Sequence, residues 1–174
     1  MNDFALVLAL RLIHIVSGVF WVGSVLFLTW FVVPAIGASG PAGGPVMDQL
    51  MRVRKVTPYL MGAALLTLLS GITMYGRDDH TYGAAWVHTG PGITFGVGAI
   101  FAIVGGGIGV LVSAPLGKRI ASLGASIKAG GQPPTAEQSA TMAMLQQRLA
   151  RASFLNATLL VLATAAMAIA RYVP

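Results

Sequence analysis

Residues 10–30 read LRLIHIVSGVFWVGSVLFLTW. A run this apolar has about the 20 residues that a helix needs to cross the hydrocarbon core of a bilayer. In lipid every backbone amide must find its partner inside the segment, so an isolated run of this kind is expected to be an α-helix. Arg11 and His14 interrupt it. On a helix, Arg11, His14, Gly18, Trp21 and Val25 share one face. An ionisable group within a membrane helix is costly and as a rule faces the bundle interior, which makes it a functional candidate.

Three further apolar runs follow, and together they predict one all-α domain over residues 1–174. It is an integral membrane four-helix bundle with helices at about 4–36, 57–75, 92–116 and 154–170. Only 9% of the residues are charged, whereas a soluble domain carries about 25%. The net charge of +6 therefore reads as membrane topology and not as a nucleic-acid surface. The absence of cysteine excludes disulfides, iron–sulfur clusters and thiolate metal sites. The start lacks a basic leader, and the first run far exceeds a signal-peptide core of about 7–15 residues, so it is expected to be a retained span.

Basic residues set the orientation. Arg52, Arg54, Lys55, Lys118, Arg119, Lys128, Arg148 and Arg151 follow helices one and three, whereas Arg11, Arg77 and Arg171 lie on the other side. The positive-inside rule makes the first side cytoplasmic, with both termini outside and a long cytoplasmic loop at 117–152. Tyr75, Tyr82, Trp86 and Tyr172 then form an outer aromatic belt, and Trp30 and Tyr59 mark the inner face. Within the long loop, AGGQPP is a break, and Thr135 with Gln138 matches a capping box that opens a helix running into helix four. Helix three carries Gly98, Ala102 and Gly106, and also Gly105, Gly109 and Ser113, at four-residue spacing. Small residues in that pattern admit a neighbouring helix or a flat ligand.

The candidate site residues gather on the outer side. His14 lies in the outer half of helix one, His88 at the outer start of helix three and His80 in the outer loop. Met74 and Met167 approach the same level, as do Arg11, Arg77 and Arg171. Axial ligands, cations for propionates and a glycine-lined surface are what a b-type haem requires. On this reading His14, His88, Met74 and Met167 are the metal-ligand candidates. Arg11, Gly18, Trp21, Arg77 and Arg171 complete the pocket. The bland alternatives are a core histidine bonded to a backbone carbonyl at His14, an arginine that snorkels outward at Arg11, and methionines that fill core space. Asn156 is expected to make an interhelical hydrogen bond. No nucleophile–base pair and no intramembrane carboxylate pair is present, which argues against a hydrolase or a proton-driven pump.

The pattern R-x-x-H-I-V-x-G-x-x-W-x-G, from Arg11 to Gly23, resembles the first helix of a bacterial membrane superfamily. That superfamily includes the copper-resistance protein D family, the four-helix membrane protoporphyrinogen oxidases and the membrane domain of a cytochrome-c-linked urate oxidase. The stretch LLTLLSGITMY resembles their second helix. The resemblance implies haem b held through His14. Helix three has no lysine between Gly92 and Pro115, where the protoporphyrinogen oxidases carry one. The expected function is a haem b protein of the bacterial inner membrane, serving electron transfer as an oxidoreductase component. Its expected partners are the lipid bilayer and a periplasmic redox protein or larger membrane complex, with no nucleic acid. The alternatives are a copper-handling protein using His14, His88 and Met74, and a cofactor-free structural or assembly subunit.

Overall fold

The computed structural model describes residues 3–174. Four helices dominate: α1 (Asp3–Ala38), α2 (Val56–Tyr82), α3 (Gly90–Ala129) and α4 (Ala136–Tyr172). Each is long and apolar enough to cross a membrane, and no strand occurs among the described residues. The chain runs up and down, with α1 packed chiefly on α2 and α3 chiefly on α4. Smaller α2–α3 and α1–α4 contacts close the ring. Both chain ends and the α2–α3 connection meet at one end of the bundle. There Asp3 pairs with Arg77 at 3.4 Å, and the backbone of Gly90 lies against Pro174.

The helices extend beyond the predicted apolar runs. Residues 117–152 are mostly helical, and only a turn around Gly131 (φ 63°) separates α3 from α4. The arm of α4 is the helix expected from the Thr135 capping box, whereas α3 continues past Leu116, where the apolar run gives way to charge. This part of α3 packs by one apolar stripe, with Ile120, Leu123, Gly124 and Ile127 half-buried on one face. Leu145 of α4 is buried on the facing arm. The cap at Thr135 forms in both directions: the Gln138 amide donates to Thr135 Oγ1 at 3.1 Å, and the Thr135 amide donates to Gln138 Oε1 at 2.9 Å. At the opposite end α2 runs to Tyr82 and stops at Gly83, whose φ of 85° suits a residue without Cβ. A single helical turn, Ala84–His88, leads to Thr89. Its hydroxyl caps α3 by accepting from the Gly92 amide at 3.2 Å.

Two widened turns recur in equivalent places. Leu28–Val32 in α1 and Gly109–Ser113 in α3 are π-helical. Each lies just ahead of a proline, Pro34 or Pro115. Proline has no amide hydrogen and crowds the carbonyl four residues back. The wider turn relieves that crowding, and Val33 and Ala114 bond five residues back, to Leu28 and Gly109.

The interior is built from small residues. Ser17, Ala63, Thr67 and Ser70 are buried between α1 and α2, while Gly98, Gly105, Ala157 and Ala163 are buried between α3 and α4. Trp21, 4% exposed, and Leu160, fully buried, are the large exceptions; with Ala63 they form the core, flanked by Val25 and Leu68. The outer surface is apolar instead: Val19, Leu69, Ile100 and Phe154 all point away from the bundle.

Candidate functional site

His14 sits at the α1–α2 interface, half-buried. Its Nδ1 lies 2.8 Å from the Thr67 carbonyl oxygen. A carbonyl only accepts, so Nδ1 is the donor in this bond and Nε2 takes no part in it. In a regular helix the Thr67 carbonyl also serves the amide four residues on, at Gly71, and its second lone pair takes the imidazole. Gly71 is what lets the ring come so close. A Cβ built there would stand 2.8 Å from His14 Cε1 and 3.0 Å from Nδ1, but 3.8 Å from Nε2. The Nδ1–Cε1 edge therefore faces α2, and Nε2 is turned farther from it. Ser70 Oγ stands 3.5 Å from Nδ1 and donates back to its own helix.

One turn deeper, the rest of the His14 face is committed to packing. Ser17 and Thr67 share a hydroxyl–hydroxyl bond of 2.8 Å. Gly18 opens onto α2, where an added Cβ would touch Thr67 Cγ2 at 3.4 Å. Trp21 crosses to α3: a Cβ built at Gly106 would lie 3.5 Å from Trp21 Cη2. The predicted ligand surface at Gly18 and Trp21 is thus occupied by Thr67 and by the α3 backbone.

Toward the chain termini the bundle opens into a cleft of about 470 Å³, lined by Val7, Arg77, Asp78, Trp86, Phe95 and Arg171. All four helical segments contribute. Val7 stands two turns above His14 on the same face, about 10 Å along the axis. Arg77 and Arg171 therefore line one cleft on the terminal side of the histidine. The Arg77–Asp3 pair that borders it leaves the carboxylate 87% exposed, and such pairs hold weakly. Tyr75 packs edge-on against Trp86 and donates to the Gly92 carbonyl at 3.1 Å, tying α2 to the start of α3 below the cleft.

The other candidates are spread out. Arg11 is exposed, and His88 is exposed at the end of its helical turn; neither makes a side-chain hydrogen bond or ion pair among the described residues. Met74 is half-buried in α2. Met167 packs onto α3, its Cε 3.1 Å from a Cβ built at Gly98. Among the described residues no three His, Cys, Asp or Glu side chains form a metal-binding group. Asn156 does not make its expected interhelical bond. Its Oδ1 is buried without a partner, 2.9 Å from a Cβ built at Gly105, and Ser113 Oγ is likewise buried without one. Asn156 faces Gly105 and Gly109 of α3, which have no side chain to offer a donor.

Thr67 and Gly71, which hold the imidazole, are the residues that reading the sequence missed. The only signal was the glycine in LLSGITMY, one turn after a threonine. No family model, curated protein or solved structure matches the chain.

Proposed function

We propose that the chain is a multi-pass protein of the bacterial inner membrane that binds haem b in its outer half. Two features support insertion in lipid. The exposed surface of all four helices is apolar over areas that a monomer in water does not tolerate, and the basic residues collect at one end. A reporter that works only outside the cytoplasm, fused after Pro174, should be active. Activity of a cytoplasm-specific reporter at the same position would overturn the orientation.

The observation that carries the haem reading is the hydrogen bond from His14 Nδ1 to the Thr67 carbonyl. A ligating histidine commonly donates its second ring nitrogen to a backbone carbonyl, which fixes the ring and makes the ligand more basic. Thr67 does this for His14. Since Thr67 and the α3 backbone fill the space at Gly18 and Trp21, the room for a flat ring is on the terminal side of His14. There the arginines of the cleft, Arg77 and Arg171, suit propionates. Arg11, one turn outward of His14, is a third cation for them. His88 is the proposed second ligand, with Met74 and Met167 behind it. A bound haem would supply one-electron chemistry, and a periplasmic redox protein or a larger membrane complex would be the partner. The detergent-purified protein should show a Soret band and the pyridine haemochrome of haem b. Copper without a Soret band would select the copper-handling reading through His14, His88 and Met74.

A second reading has its own observation. The small residues Gly18, Gly98, Gly105 and Gly106 all receive a neighbouring side chain, which is what a cofactor-free packing or assembly subunit needs. A colourless, metal-free preparation would select it.

A further inference from the structure

The geometry points to a binding site for the phosphate of an anionic phospholipid between α3 and α4, at the basic end of the bundle. The inference rests on the reading that the bundle spans a bilayer, but not on haem. A groove of about 460 Å³ is lined by Arg119 of α3 and by Arg148 and Arg151 of α4, above a floor of Leu111, Val112, Pro115 and Leu116. Its composition is layered. Leu111 is 76% exposed and apolar, and Arg119 follows two turns later, about 12 Å along α3. On the antiparallel partner, Arg151 comes just before Phe154, which is 61% exposed. Both helices thus pass from acyl depth to headgroup depth at the same level. Arg148 and Arg151 are three residues apart, so they share a face of α4.

None of the three guanidiniums has an ion-pair partner among the described residues. The nearby acids do not offer one. Asp48 is engaged by Arg52 at 3.3 Å, and Glu137 lies three turns before Arg148, about 16 Å away along α4. Three unpaired guanidiniums converging at headgroup depth repel one another unless an anion joins them. The planar fork of arginine matches phosphate oxygens in pairs. The apolar floor selects a lipid over free phosphate, because it offers an acyl chain a surface that a hydrated ion cannot use. The cytoplasmic leaflet supplies anionic headgroups, and basic pockets between membrane helices on that side suit them.

The test is native mass spectrometry of the detergent-purified full chain, titrated with phosphatidylglycerol, phosphatidylcholine or inorganic phosphate. Phosphatidylglycerol should bind at least tenfold more tightly than phosphatidylcholine, and excess phosphate should not displace it. Each arginine near the surface is expected to contribute about fivefold. The triple variant Arg119→Gln, Arg148→Gln, Arg151→Gln should therefore lose about a hundredfold in affinity for phosphatidylglycerol and bind the two lipids alike. If that variant does not insert, the wild type still decides, since its preference for phosphatidylglycerol must shrink as salt is raised. Equal affinity for the two lipids, displacement by phosphate, or a triple variant that binds like wild type would each overturn the site. A chain that does not float with vesicles of either lipid would overturn the membrane reading instead.

Discussion

Replacing Trp21 with alanine should destabilise the bundle by about 3 kcal/mol, the lower end of what buried Trp→Ala changes cost. The ring is 4% exposed and reaches from α1 across the core to Leu68 and Gly106. It is the largest side chain in an interior made mostly of alanine, serine, threonine and glycine, and Leu160 and Leu68 beside it are too small to fill the space an indole leaves. For a bundle that spans a bilayer, as proposed, the driving force is dispersion in close packing more than expulsion of water, which is why the lower end of the range applies. Unfolding in a graded mixture of mild detergent and sodium dodecyl sulfate, followed by circular dichroism, measures the loss. A change under about 1 kcal/mol would mean that the indole does not fill the centre of the bundle.

That ring also shows how far one sequence can be read. The face that carries His14, Gly18 and Trp21 follows from helical spacing alone, and it does point inward. What occupies the space in front of it does not follow. Gly18 and Gly106 look alike in the sequence to glycines that would admit a flat ligand, but one receives Thr67 and the other receives Trp21. Periodicity assigns a side chain to a face of its own helix and says nothing about which residue of another helix meets it.

The same limit hid Thr67 and Gly71. A threonine and a glycine four apart in an apolar helix are common, and their meaning appears only once α1 lies alongside with a histidine at that height. The capping box at Thr135 was legible because cap and partner are three residues apart in one chain segment. The helical arm of α3 at 117–129 is hidden for a different reason, whereas that of α4 follows from its cap. Hydropathy marks where lipid ends, and a helix can continue past that point on an amphipathic stripe.

His14→Ala is the second large effect expected, and it bears on the central claim. The imidazole is held to α2 by a 2.8 Å hydrogen bond to the Thr67 carbonyl and a longer one, 3.5 Å, to Ser70 Oγ. Its removal frees an oxygen that keeps its bond within the helix, so the bundle should still fold. Its removal also deletes the ligand candidate whose Nδ1 donates to a backbone carbonyl, with Nε2 taking no part in that bond. The absorption spectra of detergent-purified wild type and His14→Ala, recorded beside their circular dichroism, test this directly. The account predicts a Soret band in the wild type, its loss in His14→Ala, and helical content unchanged between them. A Soret band retained at full intensity in His14→Ala, or absent from the wild type, would contradict it.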